Sequence, residues 1–351
     1  MPRGEPVKAP AYPPARRSKA VRVFHGESVP DPYDWLGGPD TPESAAWQKA
    51  QDELADRFLG GTERVAMQTW LDAYLSRPHS FRVIERGMRR FFLRDEAGRD
   101  QPALFVVESG NARLLLDPAM YGAGGAIVQH SIAVSPDGAH VAMAVAAEGS
   151  ETHAIVVVES QTARGVDGVS PKVIVPEIAW SKQGDGFFYN RNQRIFVPEA
   201  ERAPGADGIY WHRIGTPFER DVLVCEQSWP DAHITPPTVS DDGALLFVSE
   251  VHIPRRRCRL AMHRLTRENG APRIERTDIL IEGGEGQAHY LGESGGESFF
   301  VMEDDKTERG RLVAIDRARP ERAAWRTLID NPDEPIAVGA QWVTSDKADA
   351  N

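Results

Sequence analysis

The sequence predicts a mainly β protein, a β-propeller preceded by an N-terminal arm and two α-helices, and three observations carry that prediction. Helical periodicity is confined to residues 42–76. Beyond them, short runs rich in Val, Ile, Phe and Tyr alternate with Gly, Asp and Asn turns. Within that region one unit recurs, an alternating strand, a polar glycine turn and a second strand: SIAVSPDGAHVAMAV at 131–145, PEIAWSKQGDGFFYN at 176–190, PPTVSDDGALLFVSE at 236–250 and AHYLGESGGESFFVM at 288–302. A period of about fifty residues suits a four-stranded propeller blade with loop insertions. A β-sandwich is the runner-up, and it leaves the recurring hairpin unexplained in so long an all-β region.

Taken in order, residues 1–32 are proline-rich and read as an extended arm. Thr41 is placed to cap a helix with Pro42 at its first position; Trp47, Ala50, Leu54 and Phe58 recur on one face, and Gly60-Gly61 stops it. Thr62 is read as the cap of a second helix, with Met67, Trp70, Leu71, Tyr74 and Leu75 apolar and Pro78 as its limit. Thereafter Asp-Gly and Gly-Gly pairs supply the positive φ that tight hairpins require.

Composition narrows the function. At 351 residues the chain is long enough to bury a large core. A net charge of −11 argues against a nucleic-acid groove, which needs a clustered positive field. The two cysteines, Cys225 and Cys258, are too few for a disulfide framework and lack the neighbours of a zinc site. The ten histidines are scattered with no H-x-x-x-H pair, so neither a metal nor a cofactor is expected. Without an apolar leader or membrane span, the expected location is the cytoplasm.

Several motifs imitate chemistry. Gly292-Glu293-Ser294-Gly295-Gly296 matches the G-x-S-x-G elbow of serine hydrolases. An elbow serine needs a strand-to-helix turn with an acid and then a histidine downstream, yet the last histidine, His289, precedes Ser294, and a strand-like run follows it. Ser294 is therefore rejected as a nucleophile and read as a hairpin residue. Gly122-Ala123-Gly124-Gly125 lacks the Gly-Lys-Ser/Thr of a phosphate loop, and Arg255-Arg256-Arg257 reads as a solvated turn. Asp241-Asp242 and Asp304-Asp305 read as turn caps rather than acid–base pairs.

The segment YPPARRSKAVRVFHGESVPDPYDWLGGPDTPESAAWQKAQDELADRFL, residues 12–59, resembles the N-terminal signature of the prolyl oligopeptidase family of serine peptidases, through Tyr12-Pro13, Arg16-Arg17, His25-Gly26, Asp31-Pro32-Tyr33, Trp35-Leu36, Trp47 and Gln51. Further likeness to the family's propeller runs through DQPALFV at 100–106, the SPDG turn, IAWSKQGDGFFYNR at 178–191, HRIGTPFERDVLV at 212–224 and RGRLVAIDRARPERAAWRTLI at 309–329. Asp34 and Gly37 depart from the basic and acidic residues usual there.

The resemblance implies an arm and helices over 1–78 that pack on a peptidase domain, and part of a seven-bladed propeller over 79–351. It also implies that the α/β-hydrolase peptidase domain itself is missing from this sequence. The expected function is the gating propeller of an endopeptidase that cleaves short peptides after proline. The chain would then be catalytically silent on its own, as a truncated product or fragment; the alternative is a free-standing propeller binding peptides or proteins. Implied partners are short proline-containing peptides and the peptidase domain in cis. In the family a ring-bearing residue five positions before the Trp of the Ala-Trp-Ser/Thr turn lines the substrate pocket, which assigns that place to Val175. A further expectation is self-association, because Trp47, Trp70 and Tyr74 lack the surface that would cover them; a monodisperse monomer by light scattering at micromolar concentration would count against it.

Overall fold

The computed structural model describes residues 10–37, 41–96, 99, 101–121, 126–127, 131–146, 152–171, 173–174, 176–192, 205–252, 255, 257–285, 287–304, 307–330 and 336. The chain divides into two compact units, residues 1–77 and 78–351. No helix among the described residues is long and apolar enough to cross a membrane.

In the first unit, β1 (Val21–Phe24) and β2 (Glu27–Pro30) form a hairpin turned by His25 and Gly26, both at positive φ. The loop after it is tied back to the arm. Ser18 donates its hydroxyl to Asp34 at 2.5 Å, Trp35 Nε1 donates to the Arg16 carbonyl at 2.9 Å, and Arg16 pairs with Glu43 at 2.6 Å. Asp34 thus has a hydrogen-bonding role here although it departs from the family's usual residue. Helix α1 (Pro42–Leu59) begins as expected: Thr41 and Ser44 make a reciprocal capping box and Pro42 takes the first turn. In α2 (Thr62–Leu75) the cap is one residue earlier than the sequence suggests. Gly61 is the extended N-cap and Thr62 is already helical, because glycine reaches the cap conformation without a side-chain oxygen. Trp70 and Tyr74 stack at 5.6 Å on α2, and each is more than half exposed.

The second unit contains five antiparallel sheets among the described residues. The first is β3 (His79–Arg86), β4 (Arg89–Asp95), β5 (Ala103–Glu108) and β6 (Asn111–Leu116). The second holds β7 (Ala126–Ile127), β8 (Ala133–Val134), β9 (His140–Ala146), β10 (Thr152–Glu159), β11 (Gly165–Val169) and β12 (Val173–Ile174). The third is β13 (Ile178–Trp180), β14 (Gly186–Arg191), β15 (Gly208–Arg213) and β16 (Val222–Glu226). The fourth comprises β17 (His233–Ile234), β18 (Thr238–Val239), β19 (Leu245–His252), β20 (Arg257–Glu268) and β21 (Ala271–Glu285). The fifth is β22 (Gln287–Ser294), β23 (Glu297–Asp304), β24 (Thr307–Asp316) and β25 (Arg326–Ile329).

These sheets are the blades of a β-propeller. Each packs on the next in chain order, and the early strands β8, β13 and β18 lie side by side. The middle strands explain why. Successive side chains of a strand point to opposite faces, and here both faces are apolar. On β14, Phe187 and Tyr189 pack against Ile155 and Val157 of the second sheet, whereas Phe188 packs with Leu246 and Val248 of the fourth. On β19, Leu245 and Phe247 turn the other way, towards Phe300 and Val313 of the fifth sheet. The alternation read in the sequence is thus between two buried faces rather than between core and solvent. Gly186 is required by this packing, since a Cβ there would lie 2.2 Å from the His212 carbonyl oxygen and 2.5 Å from the Trp211 ring.

Three of the four recurring turns are closed by a serine–aspartate hydrogen bond, the aspartate lying two residues after Ser135 and Ser240 and four after Ser181. Ser135, Ser181 and Ser240 donate their hydroxyls to Asp137, Asp185 and Asp242 at 2.6, 2.7 and 2.7 Å. Gly138, Gly184 and Gly243, all at positive φ, donate backbone N–H to those serines' carbonyls. Arginines of neighbouring sheets then fasten the turns: Arg267 reaches Asp185 and Arg317 reaches Asp242. The core contacts set the scale of stability. Phe300→Ala is expected to cost about 3–5 kcal/mol, and Ser294→Ala less than about 0.5 kcal/mol, both measured by urea denaturation.

Candidate functional site

Ser294 closes β22 directly opposite Glu297 of β23, and Gly295 and Gly296, at φ +60° and +81°, make the two-residue turn between them. Two successive positive φ values are the signature of a type I′ hairpin. Ser294 is exposed, strand β23 rather than a helix follows it, and among the described residues no side chain hydrogen-bonds its hydroxyl. Val175, Gly122 to Gly125, Arg256 and Asp305 lie outside the described residues. Asp242 is held in its turn by Ser240, the Ala244 N–H at 2.9 Å and Arg317. Among the described residues no cluster of three or more His, Cys, Asp or Glu side chains is arranged to hold a metal ion.

Two buried groupings that spacing alone does not reveal look like catalytic constellations. The His212 ring sits between Asp221, 2.7 Å from Nδ1, and Asp167, 3.2 Å from Nε2. Asp221 also accepts the Tyr189 hydroxyl at 2.8 Å, and Asp167 accepts the Gly215 N–H. With the His212 side chain 0% exposed, this network is closed to solvent; it ties β11 of the second sheet to the third. The second grouping places Cys225 Sγ 3.6 Å from His263 Nε2, with His263 Nδ1 2.9 Å from Thr277 Oγ1. Burial pushes the Cys225 thiol up to about 11 and pulls the His263 imidazole down to about 4. Both partners are therefore neutral, the opposite of the thiolate–imidazolium pair that a nucleophile needs. Burial likewise pushes Cys258 up to about 11.

A more open site is bounded by the third, fourth and fifth sheets. A cavity of about 450 Å³ is bounded by Glu177 just before β13, Thr235 to Thr238 between β17 and β18, and Gln287 to Tyr290 at the start of β22, with Phe247 and Phe300 behind. Phe247 stacks on Tyr290 at 5.0 Å, and Phe300 meets both rings edge-on at 5.3 and 5.5 Å. Glu177 is fixed through its backbone: its N–H donates to Asn190 Oδ1 at 2.8 Å, and Asn190 Nδ2 in turn donates to the Ile234 carbonyl of the fourth sheet. Burial holds the Glu177 carboxyl above the usual carboxylate range, while the Arg82 charge pulls the other way. The Tyr290 hydroxyl is buried and has no hydrogen-bond partner among the described residues. A neighbouring loop is set by another carboxylate, Glu250, which accepts the N–H groups of Ser228 and Trp229 and pairs with Arg259 at 3.2 Å.

The neutral His263 gives stability a pH signature. In the unfolded chain a histidine takes up its proton near pH 6.5, whereas in the fold His263 does so only near 4. Its contribution is present in full above about pH 6.5 and is lost as the pH falls towards 4, by up to about 3 kcal/mol. Chemical denaturation across that range is expected to show a shallower acid loss in His263→Gln than in the parent chain.

The sequence model of "Prolyl oligopeptidase, N-terminal beta-propeller domain" matches residues 12–346. Curated relatives include a prolyl endopeptidase of Elizabethkingia meningoseptica, 22% identical over 93% of this chain and 46% of its own length. The dual function macrocyclase-peptidase POPB of Galerina marginata is 28% identical over 68% of this chain and 36% of its own. Among solved structures, a prolyl endopeptidase superposes with a TM-score of 0.75 at 23% identity, covering 92% of this chain and 47% of the other. Prolyl oligopeptidase B of Galerina marginata, bound to a 35mer hydrolysis and macrocyclization substrate, gives 0.73 at 20% identity, covering 92% and 48%. The chain spans about half the length of the curated relatives it matches. With the family's propeller model matched from residue 12 to residue 346, the chain belongs to the prolyl oligopeptidase family, in that family's N-terminal β-propeller portion.

Proposed function

We propose that this chain is the gating propeller of an endopeptidase that hydrolyses short peptides after proline, and that it carries no nucleophile of its own. The observation that carries the reading is the family match over residues 12–346 to a propeller portion whose curated relatives include prolyl endopeptidases. In this reading residues 1–78 dock on a peptidase domain that supplies Ser, Asp and His, the propeller admits short peptides to it, and Val175 stands near the substrate. The exposed Trp70, Leu71 and Tyr74 on α2 suit such a docking role. Ser294 remains a hairpin residue, since its two-glycine turn leads into a strand.

The second reading is a free-standing peptide-binding propeller, favoured by the roomy, partly polar cavity at the ends of three sheets. The two differ in what the downstream reading frame encodes: an elbow serine followed by Asp and His supports the first. The purified chain is expected to give no turnover of a proline-containing fluorogenic peptide, and Ser294→Ala is expected to change nothing in that assay. Turnover that titrates with a serine-directed inhibitor would overturn the proposal.

A further inference from the structure

We propose that a second cavity, beside the Trp229 loop where β19 ends and β20 begins, is a binding subsite for a carboxylate, with the Arg257 guanidinium as its counter-ion. The inference goes beyond the gating reading and takes from it only that a peptide is the source of the carboxylate. The cavity, of about 240 Å³, is bounded by Trp229 to Asp231, His252, Arg255, Arg257 and Glu282. Arg257 is positioned without any ligand. It opens β20, its guanidinium lies over the Trp229 ring 5.3 Å from the centroid, and its Nε donates to the Gly283 carbonyl of β21 at 3.4 Å. Gly283 leaves the space for it, since a Cβ there would collide with Arg257 Nη2. The Trp229 side of the pair is held as well. Glu250, its side chain 2% exposed, accepts the backbone N–H groups of Ser228 and Trp229, and Gln227 Nε2 donates to the Trp229 carbonyl. A guanidinium over an indole is attracted by the ring and keeps N–H groups for a planar partner.

What Arg257 lacks is an acid. Among the described residues no carboxylate pairs with Arg257 or Arg255, whereas Arg259, Arg267 and Arg317 each meet one. Glu282, which lines the cavity from β21, is already engaged by Arg259 at 3.1 Å. That leaves Asp231, exposed, as the one acid of the lining without a partner among the described residues. His252 adds a further donor: its Nδ1 accepts the Arg255 backbone N–H at 3.2 Å, so Nε2 carries the ring hydrogen. Two guanidinium groups and an imidazole N–H against a single unengaged carboxylate favour an anion, and the planar fork of arginine matches a carboxylate in particular. The run Arg255-Arg256-Arg257, which reads in the sequence as a solvated turn, thus sets its last member over an aromatic ring. The space suits one acidic side chain or a chain end rather than a longer stretch of peptide.

Calorimetric titration of the whole chain with four ligands separates the sources: N-acetyl-Ala-Ala-Pro-Ala with a free carboxylate, its C-terminal amide, an acetylated and amidated peptide carrying one glutamate, and propionate. At least one carboxylate-bearing peptide is expected to bind about fivefold or more tightly than the amide, as a charge-assisted contact predicts, and to lose that advantage as salt is raised from about 20 to about 200 mM. Arg257→Gln should abolish the preference while leaving the amide within about twofold. Asp231→Asn, which removes the unengaged acid, should strengthen carboxylate binding by about twofold or more. Arg257 is exposed, so Arg257→Gln is expected to keep the urea midpoint of the parent; if it fails to fold, the amidation contrast and Asp231→Asn decide. Equal binding of acid and amide, or an unaltered preference in Arg257→Gln, overturns the subsite. Arg257-dependent binding of propionate with no peptide binding leaves the carboxylate site standing and removes the peptide as its source; failure of propionate and peptides alike removes the subsite. The fluorogenic-peptide assay decides the gating reading separately.

Discussion

The whole second unit depends on one constraint, that its middle strands are apolar on both faces. A sheet such as β14 and β15, with Phe187 and Tyr189 on one side and Phe188 and Trp211 on the other, cannot face water on either side. It needs a sheet in front and another behind, so each blade is stable only as a neighbour. That requirement fixes the order of the sheets and the close approach that only Gly186 allows. It also confines polar function to the ends of the sheets, where strands stop and backbone groups need partners.

The two ends are organised differently. At one, the serine–aspartate turns are closed units: the serine hydroxyl meets the carboxylate, a glycine N–H meets the serine carbonyl, and arginines from adjoining sheets pair with Asp185 and Asp242. At the other, the connections between sheets are longer and pinned from within, by Glu250 under the Trp229 loop and by Asn190 and Asn192 under Ile234. Loops pinned in this way around a cavity are the conditions under which binding does not first have to order the protein.

Much of this was legible in the sequence because turns are local. Asp-Gly and Gly-Gly steps, the Thr41-Pro42 start of α1 and the period of about fifty residues each depend on near neighbours in the chain. The arm's signature from Tyr12 to Leu36 could be matched for the same reason. Strand pairing within a sheet followed from the hairpins. What could not be read was everything that joins separate blades: His212 lies 45 residues from Asp167, and Asn190 lies 44 from Ile234. The cavity draws on residues from Glu177 to Phe300, and no spacing rule connects them. The cap of α2 was misplaced by one residue because a threonine there competes with a glycine that needs no side-chain bond to serve.

The G-x-S-x-G match shows how the same local chemistry can mislead. A nucleophile elbow and a tight hairpin both need glycines beside a small residue, the first so that a strained turn can present a hydroxyl, the second so that two residues can adopt positive φ. The pattern therefore reports a sharp reversal of the chain and not the reason for it. What distinguishes them is the element that follows. After Ser294 the chain returns as β23, its Phe299 to Met302 buried among the blades, and a helix at that point would expose those residues and leave β24 paired on one side only, with β25. Blade packing, which needs β23 in place, rules out the elbow geometry at Ser294 before any question of a histidine arises.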